Sequence, residues 1–509
     1  MFTWRSISKT NRAELGLIYL AGLLYLLYLG SYIREDVFYS ADGGLKFIVV
    51  RQINAGEGFQ YLRIRQPGWV REIWTQGFFP LKPPFVYDTV KGYLISFSPA
   101  FQLLTAGLFK IFGFRGLYLI PFFSILLLWL GFLRLMLKNR ISPQIVMAGL
   151  CVLIFCSPLT VYGVIYWEHM PAVLLLFAGV AFIMDPEKGP LGAAWLGLLA
   201  GLACWLRPEA IIVEFALAVS VWLGSRYRNQ SSSWWFTAGL LAPMLVFFLF
   251  NRVVYESWLG PHSRQVFEDE HSFDVTKSGF YKLAKINLSL ITTFCFTLLL
   301  GPLTYVRLIY RKRIDQRFDI FLVTVIGFCL LTPFFLPNAG GSQWGPRYFL
   351  PIIPIILVLL VIAATQWVNI VSEKYKPWLL VFMVIAVTFS FYENTIRGGL
   401  ALSRDHYQKL EPAVDFVKAN GEENLVINSY YTAMELGSLF RERNFFLAEE
   451  NDRLEKLFSL FQQNGVRHFL YIYSLNSVPP PEQVVRFFSA YHTRLDKVGP
   501  YYIGMVHLN

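Results

Sequence analysis

Charged side chains are scarce in this sequence. Asp, Glu, Lys and Arg make up 16% of the 509 residues, and 55% of the residues are hydrophobic. A soluble protein of this size carries roughly 25% charged residues, so the composition argues against a soluble globular chain. Cysteine is rare as well: the five cysteines all lie in apolar runs and lack disulfide or metal-ligand spacing. They are typical of small buried hydrophobes.

Several other signals are missing. The chain has no internal repeat, which weakens a transporter interpretation because many transporters are built from repeated halves. No small-residue cleavage site follows the first apolar run, 15–33, so this run is expected to be a retained anchor. The net charge of +11 does not form one basic patch. The basic residues cluster in short loops, as the positive-inside bias predicts, which argues against nucleic-acid binding.

Membrane-length apolar runs are abundant. Runs of about 20 residues, long enough to cross a bilayer, recur through the first three quarters of the chain. They predict a mainly α, polytopic transmembrane bundle. The eleven predicted spans are 15–33, 117–137, 144–163, 171–184, 190–206, 210–224, 234–255, 286–308, 319–337, 348–366 and 377–393.

The apolar stretch 93–112 is predicted to be an interfacial or re-entrant helix. Lys9 and Arg12 put the N-terminus in the cytoplasm, and the later basic loops agree with this orientation only if 93–112 does not cross. If it does cross, the loop at Lys138 lies outside the cytoplasm. With eleven spans the C-terminus is extracytoplasmic, and the short loops favour a bacterial plasma (inner) membrane.

The composition changes near residue 394. We therefore predict a transmembrane domain over 1–393, with a first outer loop at about 34–92. A small extracytoplasmic α/β domain is predicted over 394–509. Strand-like runs at 425–427 and 469–473 alternate there with amphipathic stretches. No nucleotide-binding glycine loop occurs in this domain, and Ala419-Asn420-Gly421 is expected to be a helix C-cap.

Acidic side chains just after the first span are the first candidates for chemistry. Asp42 is followed by two glycines and a helix-like run, and a carboxylate at this boundary could accept a proton from a reacting group. Asp36 and Glu35 compete with it, and Asp36 could also contact substrate. A second acid could bind a divalent cation such as Mg²⁺ or Mn²⁺. Solvated loop acids or a helix N-cap are the structural alternative.

Further candidates lie in the other outer loops. Glu168 and His169 could supply a second acid or base, although a capping Glu and an interfacial His would look the same. Basic side chains there could grip phosphate oxygens, although membrane-end arginines often only snorkel. The phosphate-binding candidates are Arg347, Lys82 and Arg264, and the further substrate-binding candidates are Trp344, Tyr348 and His262. The charges of Arg207-Pro208-Glu209 are expected to pair with each other.

These residues resemble the GT-C superfamily of integral-membrane glycosyltransferases, which includes protein mannosyltransferases and the transferase that adds aminoarabinose to lipid A. The resemblance covers most of the membrane region and rests on several short motifs. These are Tyr39-Ser40-Ala41-Asp42-Gly43-Gly44-Leu45-Lys46, the stretch 92–116, Trp167-Glu168-His169, Trp205-Leu206-Arg207-Pro208-Glu209 and Trp344-Gly345-Pro346-Arg347-Tyr348.

The resemblance implies an enzyme that takes a sugar from a polyprenyl-phosphate donor and transfers it with inversion outside the membrane. The family's first-loop catalytic Asp corresponds to Asp42. A second adjacent acid is common in the family, but Gly43 stands there, which leaves metal dependence open. The Glu-Lys-Pro-Pro of the lipid A enzyme is matched by Lys82-Pro83-Pro84, with Leu81 in place of its acid.

Other functions stay open at this point. A polytopic transporter or flippase would need ionisable groups at mid-membrane, and Glu214 is the one acid inside an apolar run. Another cell-envelope ligase or polymerase shares lipid-linked substrates, and a non-catalytic scaffold is a third possibility. The acceptor is predicted to be a glycolipid, a polysaccharide or a protein.

Overall fold

The structure, a computed structural model, divides by its internal contacts into two units. The first contains Met1–Ser31 and Tyr118–Leu400, and the second contains Tyr32–Leu117 and Ala401–Asn509. The described residues are 8–63, 65–185, 188–223, 230–263, 277–310, 319–336, 344–370, 372–474, 481–489 and 491–508.

The first unit is helical. Leu, Ile, Phe and Val fill its helices, and the breaks coincide with Pro, Gly or polar residues. Its helices are α1 (Lys9–Gly30), α5 (Leu119–Lys138), α6 (Pro143–Phe155), α7 (Leu159–Tyr162), α8 (His169–Met184), α9 (Pro190–Gly201), α10 (Ala203–Leu206), α11 (Ala210–Leu223), α12 (Gln230–Tyr255), α13 (Lys277–Phe294), α14 (Phe296–Tyr310), α15 (Asp319–Phe335), α16 (Ile353–Ile370), α17 (Lys376–Phe391) and α18 (Gly398–Leu400).

Each of the eleven predicted spans coincides with one helix or with a broken pair of helices in this unit. Within the described residues, five helices are long and apolar enough to cross a membrane, or six if the bent pair Tyr281–Phe294 and Phe296–Val306 is one span. That pair bends by 104°, and several further apolar helices are shorter. The protein is a multi-pass integral membrane protein.

Small residues let two helices of this unit approach closely. A Cβ atom added to Gly197 of α9 would lie 2.1 Å from the carbonyl oxygen of Phe236 in α12, and one on Gly239 would lie 2.2 Å from that of Ala194. Membrane helices associate through this kind of packing because lipid supplies no hydrophobic drive between them. The stacked rings of Phe182 and Phe236, 4.2 Å apart, fix α8 beside the pair.

Glu214 is buried inside α11. Its Oε1 atom accepts a hydrogen bond from the backbone N–H of Cys204 at 3.0 Å, at the break between α9 and α10. Helix N-termini leave backbone N–H groups without intrahelical partners. The acid therefore caps the short helix that leads into Arg207.

The second unit combines helices with two sheets. Its helices are α2 (Ala41–Asn54), α3 (Gly68–Ile73), α4 (Ala100–Phe112), α19 (Gln408–Asn420), α20 (Tyr430–Glu435), α21 (Asn451–Gln463) and α22 (Pro481–Ser489). Its strands are β1 (Tyr61–Leu62), β2 (Val86–Thr89), β3 (Gly92–Ile95), β4 (Asn424–Ile427), β5 (Asn444–Leu447), β6 (His468–Ser474), β7 (Asp496–Val498) and β8 (Tyr501–His507).

The larger sheet has the strand order β5-β4-β6-β8-β7. Strand β4 is parallel to both of its neighbours, while β8 is antiparallel to β6 and β7. The helices α20 and α21 connect the parallel strands, as parallel pairing requires a crossover. Gly421 ends α19 with a φ of 75°, so the predicted C-cap is confirmed, as are the two predicted strands.

The structural division differs from the sequence-based boundary at residue 394. Residues 32–117, which the sequence analysis placed with the membrane domain, form one unit with residues 401–509. A buried hydrogen bond joins the two segments: Trp74 Nε1 donates to the carbonyl oxygen of Phe445 at 2.8 Å.

The predicted helix at 93–112 begins only at Ala100, after strand β3. Its 13 residues span about 20 Å, less than the ~30 Å hydrocarbon core, and its interfacial placement stays a prediction.

Helix α2 touches α20 without intervening side chains. A Cβ atom on Gly44 would lie 1.8 Å from the carbonyl oxygen of Met434, and one on Gly437 would lie 2.5 Å from the carbonyl oxygen of Gly44. Both contacts involve backbone, which cannot rotate away. The two glycines are therefore needed where the segments cross.

We expect Gly44→Ala to destabilise the second unit by about 1–3 kcal/mol, the usual cost of overpacking. Gly68→Ala is the matched control, because nothing lies within 4 Å of that position. Thermal unfolding of the purified full chain in detergent measures both variants. Equal melting temperatures for the two variants would contradict the close contact.

Candidate active site

Arg207 connects two acids in the first unit. It follows α10 directly, and its Nη1 atom lies 3.0 Å from Glu168 Oε1 while Nη2 lies 2.7 Å from Glu209 Oε1. The Arg207 and Glu168 side chains are less than a tenth exposed. A planar guanidinium suits two carboxylates at once. The predicted pairing of Arg207 with Glu209 is confirmed, but the bridge to Glu168 was not foreseen.

His262 extends this network. Its Nε2 atom lies 2.8 Å from Glu209 Oε1, and the imidazole is buried. The Glu168–Arg207–Glu209–His262 chain therefore links residues that are almost a hundred positions apart. Removing one member of such a buried network leaves the others partly uncompensated.

Arg347 begins a short 3-10 turn, Arg347–Ile352, and lies among aromatic rings. Its guanidinium carbon is 5.6 Å from the centroid of the Trp167 ring and 5.2 Å from that of Tyr348. Cation–π contacts of this kind limit the motion of a guanidinium. Trp344 packs its ring edge-on against Phe294, with centroids 5.1 Å apart.

One small cavity collects several of the predicted site residues. It has a volume of about 20 Å³ and is lined in part by His169, Arg207, Glu209, Arg347 and Tyr348. This volume holds about one water molecule. His169, Arg347 and Tyr348 are therefore brought together, and Glu168 and His262 stand directly behind Arg207 and Glu209.

Asp42 lies in the second unit, in the first turn of α2. A helix N-terminus favours a negative side chain there, and the carboxylate is half-buried. One turn further on, Lys46 is 1% exposed, and its Nζ atom lies 4.6 Å from the centroid of the Phe97 ring. Residues four apart share a helix face, so this buried cation is on the side of the helix that carries Asp42.

Two other predicted residues of this unit form ion pairs. Asp36 Oδ2 lies 2.5 Å from Lys418 Nζ, and Lys82 Nζ lies 2.6 Å from Glu449 Oε1. The ammonium of Lys82 is also 5.0 Å from the centroid of the Tyr430 ring. Glu449, from a distant part of the sequence, thus supplies an acid beside Lys82. The residue that precedes Lys82 in the sequence, Leu81, is not acidic.

Arg264 lies outside the described residues. Among the residues that are described, no group of three or more His, Cys, Asp or Glu side chains is arranged to hold a metal ion.

Glu435 was not foreseen from the sequence. Burial raises the pKa of this carboxyl to about 6, although a hydrogen bond from the Tyr501 hydroxyl opposes the shift. Glu435 ends α20, next to the segment that contacts Gly44. Its protonation state is therefore coupled to the packing of this part of the second unit.

Structure comparison finds ArnT from Cupriavidus metallidurans in the apo state, with a TM-score of 0.55, 12% identity and coverage of 96% of this chain and 97% of that chain. The same enzyme bound to undecaprenyl phosphate matches with a TM-score of 0.55, 11% identity and the same coverage. An oligosaccharyltransferase from Archaeoglobus fulgidus, tethered with an acceptor peptide, has a TM-score of 0.47, 10% identity and coverage of 90% and 69%. No protein-family model matches the sequence, and no curated protein matches it.

The likeness to ArnT extends over nearly the whole of both chains. This chain is therefore a polytopic membrane protein that shares the fold of ArnT. The fold expected from the first-loop and arginine motifs is confirmed. At 11–12% identity the likeness concerns the fold, and the roles of individual residues stay predictions.

We expect Arg207→Met to lower the stability of the first unit by about 3–5 kcal/mol, because it takes the guanidinium from buried acids. Arg207→Lys should fall between this variant and wild type, since a point charge cannot bridge two carboxylates. Arg252→Met is the control: this arginine is exposed and donates to the carbonyl oxygen of Glu256. Thermal unfolding in detergent should rank the variants in this order, and a melt of Arg207→Met equal to the control would refute the bridge.

Glu435 makes a testable contribution to the pH dependence of stability. Its pKa is about 6 in the folded chain against an ordinary value of 4.5, so the folded state holds its proton more tightly. The contribution of this proton to the free energy of unfolding is fully present below pH 4.5 and is lost as the pH rises through 6. We expect about 2 kcal/mol over this window. Gln imitates the protonated acid at every pH, so the melting temperature of wild type should fall relative to that of Glu435→Gln from pH 4.5 to 6.5; a constant difference would contradict the raised pKa.

Proposed function

We propose that this protein is a membrane glycosyltransferase that moves a sugar from a polyprenyl-phosphate donor to an extracytoplasmic acceptor, with inversion. The observation that carries the proposal is the likeness to ArnT over 96% of the chain. One of the matching ArnT structures is bound to undecaprenyl phosphate. Such a reaction requires a carboxylate near the acceptor and a cation near the donor phosphate; the candidates are Asp42 in the second unit and Arg347 in the first unit.

The donor phosphate is assigned to Arg347. A guanidinium in a cavity that water hardly enters interacts strongly with an oxyanion, and the flanking rings of Trp167 and Tyr348 limit its motion. A guanidinium matches the charge and shape of a phosphate, so the proposal places this part of the donor beside Arg347. The Glu168–Arg207–Glu209–His262 network stands behind this cavity, and in this proposal Glu168 and His169 shape the site rather than exchange protons with substrate.

Asp42 is assigned as the general base that accepts a proton from the acceptor. The acceptor hydroxyl or amine attacks the anomeric carbon while the bond from that carbon to the phosphate oxygen breaks. The proton passes to the Asp42 carboxylate, and the bonding electrons leave with the lipid phosphate. A phosphate leaving group is already anionic and needs no general acid, so one carboxylate suffices, in contrast to hydrolysis of an ordinary glycoside.

Lys82 is a second phosphate candidate. It is held by Glu449 and by the face of Tyr430, so phosphate binding would require an exchange of the carboxylate for phosphate oxygens. Both side chains of the pair are about one third exposed, and an ion pair of this exposure contributes about 0–1 kcal/mol. Such an exchange is therefore energetically accessible. Asp36, Trp344, Tyr348 and His262 are kept as substrate-contact proposals.

The basic loops support an orientation for this enzyme. We place the N-terminus in the cytoplasm and residues 401–509 outside, in a bacterial plasma membrane, because the arginine- and lysine-rich loops alternate accordingly. A donor with a polyprenyl tail can reach such an enzyme through the bilayer. No nucleotide site is needed, because the activated bond arrives with the lipid.

We expect Asp42→Asn to lower the rate of sugar transfer by about 10²–10⁴-fold, the usual loss on removing a general base. Donor binding should be retained, since the variant changes no phosphate contact. Asp88→Asn is the matched control: it is an exposed acid on β2 of the same unit. The assay follows release of lipid phosphate from a radiolabelled polyprenyl-phosphate sugar. Full turnover by Asp42→Asn would remove this residue from the mechanism.

A further inference from the structure

A second polar cavity lies in the second unit, away from α2's N-terminal turn. Its volume is about 10 Å³, and its polar lining consists of Gln52, Arg63, Arg65, Gln66 and Arg441. Three arginines from two distant parts of the sequence therefore meet at one small cavity. Like charges this close repel each other unless acids or bound anions compensate them.

One acid serves two of these arginines. Arg441 contacts both oxygens of Glu57, with Nη1 at 2.9 Å from Oε2 and Nη2 at 3.1 Å from Oε1. Arg65 hydrogen-bonds to the same carboxylate. Burial tends to raise the pKa of Glu57, but the hydrogen bonds from Arg441 and Arg65 outweigh it and lower the pKa. Glu57 is therefore ionised and contacts two of the three arginines.

Arg63 is the third arginine. It is exposed, and within the part of the chain that the structure describes its guanidinium has no ion pair or hydrogen bond. Three arginines against the single Glu57 leave a local charge of about +2 at neutral pH. A cluster with this imbalance attracts an anion from solution.

Two buried amide side chains fix the backbone that carries Arg63 and Arg65. Gln52 is 0% exposed; its Oε1 atom accepts from the backbone N–H of Arg63 at 2.7 Å, and its Nε2 atom donates to the carbonyl oxygen of Tyr61 at 2.7 Å. Gln66 accepts from the backbone N–H of Arg65 at 3.1 Å and donates to the carbonyl oxygen of Phe440 at 3.0 Å. Burying an amide is costly unless it is hydrogen-bonded, and here the bonds go to the backbone of the arginine loop.

We propose that Arg63, Arg65 and Arg441 form a binding site for an oxyanion group, a phosphate or a carboxylate, on the sugar acceptor. Guanidiniums bind such groups through charge-assisted hydrogen bonds, and the ion pairs with Glu57 hold two of the three arginines in place. Because Arg63 and Arg65 are exposed, the rest of the acceptor stays in water. The identity of the bound group as part of an acceptor rests on the proposed function; the anion site itself does not.

The anion site is tested by calorimetric titration of the full chain in detergent with inorganic phosphate. The titrations use a Lys82→Gln, Arg347→Gln background, so that the proposed donor contacts do not contribute. We expect Arg63→Gln to weaken phosphate binding about tenfold or more, because a charge-assisted hydrogen bond is lost. Arg71→Gln is the control: it makes the same charge change on α3 but lies outside the cavity lining. Equal losses in the two variants would overturn the site.

The same titration with succinate separates the two sources of oxyanion. Tighter binding of phosphate assigns a phosphate-bearing acceptor, and tighter binding of succinate assigns a carboxylate-bearing one. Arg63→Lys supplies a check on geometry, since it keeps the charge but loses the two-pronged contact; it should recover only part of the affinity. Because the Arg63 side chain has no ion-pair or hydrogen-bond partner among the described residues, its variants are expected to fold.

A second measurement separates this inference from the proposed function. Binding of a polyprenyl phosphate to the otherwise wild-type chain should be unchanged in Arg63→Gln. If the chain binds no polyprenyl phosphate but shows Arg63-dependent phosphate binding, the proposed function fails and the anion site stands. If polyprenyl phosphate binds and inorganic phosphate binding does not depend on Arg63, the anion site fails and the proposed function stands.

Discussion

The backbone contact between Gly44 and Gly437 is the constraint on which the position of Asp42 depends. Peptide groups meet there with no side chain between them, so α2 cannot slide or rotate without displacing the end of α20. Asp42 lies two residues before Gly44 in the same helix. The placement of the candidate base is therefore determined by a segment near the end of the chain, and the C-terminal α/β fold is part of the structure that presents it.

The ion pairs within the second unit have a different role from this contact. Asp36–Lys418 and Lys82–Glu449 are partly exposed, and such pairs contribute about 0–1 kcal/mol each. Burial of rings such as Trp74 and Phe445, both near 0–2% exposed, contributes more, at about 1.5–3 kcal/mol per large side chain. The buried core therefore supplies more of the stability than these ion pairs do. Charges that contribute little to stability can be redirected to a ligand at small cost.

The sequence predicted local structure far better than long-range contacts. Span positions follow from run length and hydrophobicity, and Gly421 could be recognised as a helix C-cap from its neighbours. In contrast, nothing local to Arg207 indicates that it reaches Glu168, because the pairing depends on how α8 and α10 pack. The grouping of 32–117 with 401–509 was missed for the same reason. Apolar runs identify helices, but the contacts between distant loops are determined by tertiary packing.

The replacement of a second acid by Gly43 follows from packing and chemistry together. A Cβ atom on Gly43 would lie 3.1 Å from Cβ of Phe38, and Phe38 is buried against Phe47 and Phe114. An acidic side chain here would press against the Phe38 ring, and burying a charge among rings is strongly unfavourable. Transfer from a phosphate donor has no need of a second acid, because the leaving group departs as an anion. In this chain the packing of α2 excludes an acid that the proposed reaction can do without.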